Sequence, residues 1–190
     1  SYLVLGPFYK FGSAEQVPAG DLKVMSYNVR SFNKYEELAS KTVLDDIKTF
    51  VKREDPDIIC IQEPPYDYDF KTCDVFKRYE HHFFEHIHME GIGLLGIFSK
   101  YPILETGMLN LPKTNSNAIF ADVLYQQDTM RIYNVHLESL GITPGQRVFS
   151  KKPTDKILLS VNEAFQKQLE QVKVIQKLQL QVIKPLCCVR

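Results

Sequence analysis

The chain has 190 residues, 44% of them hydrophobic and 24% charged, ordinary proportions for one globular domain with a sizeable core. Its 23 basic and 23 acidic residues cancel, so the totals supply no overall basic field for nucleic acid. The four cysteines (Cys60, Cys73 and the adjacent Cys187 and Cys188) form no CxxC, which argues against both a disulfide framework and a zinc module.

Residues 1–12, SYLVLGPFYKFG, are apolar and aromatic and break at Gly6-Pro7 and Gly12. The chain does not open on Met, and the expectation is that it begins inside a longer precursor. Membrane association follows if residues 1–11 are the remnant of an anchor; a tail packed on the domain is the other reading. Localisation is otherwise open. Residues 13–20, SAEQVPAG, read as a linker, which divides the chain into a tail, 1–20, and a domain, 21–190.

Asp21 to Val29 alternates as a strand and turns polar at Asn28 and Arg30. Asn33 to Glu54 is expected to be a helix. Asn33 and Glu36 stand at capping-box spacing, and Leu38, Val43, Leu44, Ile47, Phe50 and Val51 form its apolar stripe. Asp55-Pro56 stops it. Ile58-Ile59-Cys60-Ile61 is apolar at every position, as in a strand covered on both faces. It runs into Gln62-Glu63, and Pro64-Pro65 forbids further regular pairing. A carboxylate therefore stands at the exit of a buried strand.

An aromatic and acidic loop with one short helix is expected over 66–79. Asp67, Asp69 and Asp74 within it lack the central Gly and terminal Glu of a calcium loop. His81, His82, His86 and His88 cluster without a third ligand at a telling spacing. Gly91 to Gly96 matches GxGxxG, but the segment that follows, FSKYPI, cannot open the helix a dinucleotide site needs. Strands are expected over 91–99 and 103–109, and a hairpin from Asn117–Tyr125 and Thr129–Leu137. After a loop rich in Gly, Pro, Lys and Arg, Thr154 caps a long helix from Asp155 to about Leu180. Its stripe reads Leu158, Val161, Phe165, Leu169, Val172 and Ile175. Strand, helix, strand with short connections implies parallel neighbours and an α/β layered fold.

Asn28, Glu63 and His136 all close apolar strands. In α/β layered folds ligands bind beyond the carboxyl ends of strands. A hard cation takes oxygen from Glu63 and Asn28. An imidazole beside it can hydrogen-bond a phosphate oxygen as charge develops.

Four segments in order, LKVMSYNVRSF (22–32), PDIICIQEP (56–64), GIGLLGIFSKYPI (91–103) and RIYNVHLES (131–139), resemble the endonuclease/exonuclease/phosphatase superfamily. That group includes deoxyribonuclease-type nucleases, inositol polyphosphate 5-phosphatases and neutral sphingomyelinases. The resemblance implies a four-layer α/β sandwich, a mixed sheet with covering helices being the part this chain supplies. It implies Mg²⁺, or Mn²⁺ in its place, and hydrolysis of a phosphodiester or phosphomonoester. The substrate would be a nucleic acid, a phosphoinositide, a phospholipid head group or another phosphate ester. Carried onto this sequence, Glu63 is the metal carboxylate, Asn28 positions the metal-bound phosphate or water, His136 polarises the scissile phosphate, and Asn117 lies near the substrate. The family's later Gly-Asp-X-Asn and Ser-Asp-His motifs do not occur in these residues. The expectation is thus a domain lacking its C-terminal portion and most of its second sheet, with an exposed sheet face prone to self-association. A catalytically incomplete remnant or binding module of the same fold is the alternative. Substrate choice is expected from the loops 64–78 and 138–153, where Arg147, Lys151 and Lys152 stand.

Overall fold

The computed structural model describes residues 22–34, 36, 39–65, 67–70, 73–85, 95–111, 117–139 and 155–182. Leu38, His86, His88, Gly91, Gly93, Arg147, Lys151, Lys152 and Thr154, named above, lie outside them.

Two sheets face each other. The first is mixed and carries β1 (Val24–Asn28), β2 (Ile58–Gln62), β4 (Leu95–Ser99) and β3 (His81–Glu85), in that spatial order. β1 and β2 run parallel, as a strand–helix–strand unit demands, and the other two pairings are antiparallel. The second sheet is an antiparallel meander of β5 (Ile103–Asn110), β6 (Asn117–Tyr125) and β7 (Asp128–His136). α1 (Val43–Glu54) and α2 (Asp155–Val182) are the two α-helices of the described residues.

The apolar run 58–61 behaves as its composition dictates. Every residue of β2 is buried, and its two faces feed two different cores. Ile59 and Ile61 pack with Phe98 against Ile47 and Val51 of α1 and against Phe70, Phe76 and Tyr79 of the loop. Ile58 and Cys60 pack with Leu95 and Ile97 against Ile119, Ala121 and Val123 of β6. A third cluster joins the outer face of the second sheet, through Ala118 and Val135, to Ile175 of α2. The order is therefore helix, sheet, sheet, helix. Burying each aliphatic chain at the sheet interface stabilises by about 1.5–3 kcal/mol.

This corrects the expectation of a largely missing second sheet. Three of its strands form, because a meander pairs locally. The inner face expected to be open is covered: Ile58, Leu95, Ile97, Ile119 and Val123 are all 0% exposed. The hairpin forms, but its second strand is Asp128–His136, one residue earlier at each end than the expected Thr129–Leu137, so the turn has two residues, the first of which, Gln126, takes the positive φ of 57°.

The helix expected from Asn33 begins at Val43 instead. Arg30, Ser31, Phe32 and Asn33 have φ of 42°, 51°, 52° and 61°, and Glu36 has 54°, values no right-handed helix accepts. Tertiary contacts hold this left-handed turn. Phe32 is buried edge-on to Tyr68 and Phe70, and Lys34 pairs with Asp67 at 2.7 Å. Asn33 caps no helix; its Nδ2 donates to the Ser40 carbonyl at 3.1 Å. α1 ends at Asp55, in the left-handed region at φ 43°, whose N–H donates to Val51.

α2 also departs from its expected stripe. Leu158, Phe165 and Leu169 are exposed, whereas Ala164, Gln171 and Ile175 are buried. The face that meets the sheet carries small and amide side chains, which a hydrophobicity pattern does not register.

Gly96, the last glycine of the GxGxxG match, lies inside β4. A Cβ there would lie 2.6 Å from the Phe84 ring on the paired strand. Gly107 does the same for Phe120, over which the Arg131 guanidinium stands at 4.0 Å. These glycines seat aromatic rings, not phosphates.

Candidate active site at the strand exits

β1, β2 and β7 end at one edge of the sandwich. Asn28 and Gln62 are partners in the parallel ladder, and the pairing continues past them. The Val29 N–H donates to the Gln62 carbonyl at 2.9 Å, and the Ser31 N–H to the Glu63 carbonyl at 2.7 Å. Glu63 leaves the ladder with a φ of 55°. A non-glycine residue held there costs of order 1–3 kcal/mol, which the two flanking backbone bonds offset.

Two side chains converge on its carboxylate. Asn28 Nδ2 donates to Glu63 Oε1 at 2.8 Å. His136 Nε2 lies 2.9 Å from the same oxygen. The Arg30 N–H donates to Asn28 Oδ1 at 3.0 Å, which orients the amide with its NH₂ toward Glu63. The His136 bond, then the Asn28 bond, hold the Glu63 carboxyl below the usual carboxylate range against the opposing effect of burial, and the Arg30 charge adds to this. An ionised Glu63 accepts only, so His136 Nε2 is the donor. About a quarter of the His136 side chain and a third of that of Glu63 remain exposed, at 25% and 32%, so both are reachable.

The sequence-derived residues thus meet. Asn117 joins them at the edge: it pairs with His136 across β6 and β7. Asn28 presents its NH₂ to Glu63, while its Oδ1 keeps one lone pair beyond the Arg30 bond. Among the described residues no three His, Cys, Asp or Glu side chains gather as a metal cluster. One ionised carboxylate still fits Mg²⁺, which takes one or two carboxylates and keeps several waters. Among the described residues the site does not supply the three or four protein ligands, nitrogen, sulfur or carboxylate oxygen, of a zinc site.

Two buried amides escaped the sequence reading. Gln62 is 7% exposed and Asn134 is 1% exposed. Gln62 Nε2 donates to Asn134 Oδ1 at 2.6 Å and to Ser26 Oγ at 3.1 Å. Asn134 Nδ2 donates to the carbonyls of Ile61 at 2.9 Å and Gly96 at 2.8 Å. The signal for Asn134 was its place in the inward row Met130, Ile132, Asn134, His136, where an amide interrupts apolar positions. Beyond His136 the chain is tied to α2. Gln168 Nε2 donates to the Glu138 carbonyl at 2.7 Å, and the Glu138 N–H donates to Gln171 Oε1 at 3.1 Å.

The family model described as the Endonuclease/Exonuclease/phosphatase family matches residues 25–173. No curated protein matches the chain. Similar solved structures include truncated TDP2 from Caenorhabditis elegans, 18% identical with a TM-score of 0.49, covering 62% of this chain and 47% of that one. TDP2 from D. rerio, complexed with single strand DNA product, is 17% identical with a TM-score of 0.47, covering 74% and 64%. ANGEL2, a 2',3'-cyclic phosphatase, is 17% identical with a TM-score of 0.48, covering 61% and 40%. The chain spans less than two thirds of the length of each.

Proposed function

The chain belongs to the endonuclease/exonuclease/phosphatase family, and on that premise we propose that it is a Mg²⁺-dependent hydrolase of a phosphodiester or phosphomonoester. One observation carries the reading: Asn28, Glu63 and His136, from three strands in two sheets, meet on a single carboxylate oxygen. Residues 21–190 are read as one domain of this kind.

Both hydrogen bonds fall on Glu63 Oε1, so Oε2 is the oxygen a cation would meet. Asn28 holds the carboxylate still and offers its remaining lone pair. Bound Mg²⁺, or Mn²⁺ in its place, would supply neutralisation of the charge that builds on the phosphoryl and leaving oxygens. His136 swings its Nε2–H from Glu63 to a non-bridging phosphoryl oxygen and stabilises the charge that develops there as water attacks in line. Asn117, opposite His136 in the ladder, is placed to hydrogen-bond the substrate. The substrate is a phosphate ester; a nucleic acid, a phosphoinositide and a phospholipid head group all present the required group.

A second reading, a catalytically incomplete binding module, draws on the finding that among the described residues no three His, Cys, Asp or Glu side chains gather as a metal cluster. The purified chain, assayed on a generic phosphodiester with Mg²⁺ and with chelator, separates the two. Hydrolysis lost on chelation and in Glu63→Ala supports the enzyme. Saturable Mg²⁺ binding without hydrolysis supports the module.

A further inference from the structure

Resting on that reading of the site, we propose that Asn134 is a positioning residue: it locks the two sheets in the one alignment that brings His136 of the second within hydrogen-bond reach of Glu63 beyond the first. Apolar contacts between sheets are non-directional and tolerate sliding. The cluster of Ile58, Cys60, Leu95 and Ile97 on Ile119, Ala121 and Val123 therefore joins the sheets without setting their alignment finely. Asn134 supplies the missing direction. Both hydrogens of its amide are used, one on the Ile61 carbonyl of β2 and one on the Gly96 carbonyl of β4, and those two residues are partners in the first sheet. Its oxygen takes the Gln62 amide at 2.6 Å, and Gln62 reaches on to Ser26 of β1. One side chain of β7 is thus tied, directly or through Gln62, to three strands of the opposite sheet.

The site residues lie immediately downstream of this lock. Glu63 follows Gln62, and His136 lies two residues beyond Asn134 on the same face of β7. A slide of about 1 Å between the sheets would pass directly into the 2.9 Å contact of His136 with Glu63, and misplacement of that size is enough to cost catalysis about 10²-fold. At 1% exposure Asn134 itself touches no substrate.

The test is Asn134→Asp, which keeps the shape and removes both donors, beside Tyr79→Phe as a control. Tyr79 loses a buried hydrogen bond to the Pro56 carbonyl at the far end of β2 and so lowers stability away from the site. Two readouts are taken on folded protein at one fixed alkaline pH: the ¹⁵N shifts of the His136 ring, and the Mg²⁺ dissociation constant by calorimetry. Asn134→Asp is expected to move the ring shifts toward those of Glu63→Gln and to weaken Mg²⁺ binding about tenfold or more, in the range seen when supports of metal ligands are removed. Tyr79→Phe is expected to change neither. Should Asn134→Asp fail to fold, Gln62→Met, which leaves the two carbonyl bonds in place, is expected to move the same readouts in the same direction. Ring shifts and affinity unchanged in the folded variant, or changed equally by Tyr79→Phe, overturn the positioning role. Absence of Mg²⁺ binding in the unsubstituted chain overturns the proposed function instead, while the ring shifts still decide the lock.

Discussion

Glu63 and His136 are 73 positions apart in the sequence and 2.9 Å apart in the fold. His136 ends β7 of the second sheet and Glu63 follows β2 of the first, so each stands where an apolar strand gives way to the edge of the sandwich. The hydrogen bond between them favours the ionised carboxylate and falls on Oε1 alone, and an ionised carboxylate is what a hard cation requires.

The pH dependence of stability follows from the lowered Glu63 carboxyl. A depressed folded value means the unfolded chain binds the proton more readily, so ionised Glu63 stabilises the fold above its unfolded value, about 4.3. That contribution is lost as pH falls from there through the lowered folded value. Denaturant titrations across this window are expected to show a steeper loss for the unsubstituted chain than for Glu63→Gln. Equal slopes would mean the hydrogen bonds to His136 and Asn28 do not persist in solution.

The left-handed turn beside the site carries removable strain. Ser31 sits at φ 51° and ψ 27°, where a Cβ costs roughly 1–2 kcal/mol and glycine is free of that cost. Glycine also makes the unfolded chain more disordered, which takes back about 0.4–1 kcal/mol. Ser31→Gly is therefore expected to stabilise by about 0.5–1 kcal/mol, read as a higher denaturant midpoint at unchanged slope. A lower midpoint would show that the serine side chain holds the turn.

Gly96 is expected to resist even alanine. The Phe84 ring that covers it is stacked on Phe70 and edge-on to Phe98, so it cannot withdraw cheaply. Gly96→Ala should cost about 1–3 kcal/mol by overpacking. Adding Phe84→Leu should recover part of that loss in a double-mutant cycle; strictly additive losses would place the cost elsewhere.

α2 separates a pattern from a packing face. Leu169 is 48% exposed and Ile175 9% exposed, although both belong to the apolar stripe read from the sequence. Leu169→Gln is expected to change stability by less than about 0.5 kcal/mol. Ile175→Ala should cost about 2–4 kcal/mol. Reversed magnitudes would mean α2 presents its other face to the sheet.

These contrasts show which links were legible in the sequence. β2 was, because four consecutive apolar residues ending at Gln62-Glu63 allow little but a central strand with a carboxylate at its exit. So were the hairpin and the convergence of Asn28, Glu63 and His136, since strand ends gather at one edge of a layered fold. The start of α1 was not. Asn33 and Glu36 have capping-box spacing, but Phe32, buried against Tyr68 and Phe70, holds the chain in a left-handed turn. Nor was the Gln62–Asn134 lock, because pairing between sheets depends on register and leaves only an amide in an apolar row. The packing face of α2 was hidden for a related reason: Ala164 and Gln171 are buried there and carry no hydrophobic signal.

The central claim, that the Glu63 carboxylate is built to hold a divalent cation, is tested most directly by calorimetric titration of Mg²⁺ into the chain and into Glu63→Ala. Saturable binding to the first that is lost in the second is the predicted result. Absence of binding to the unsubstituted chain, or equal binding to both, would contradict it.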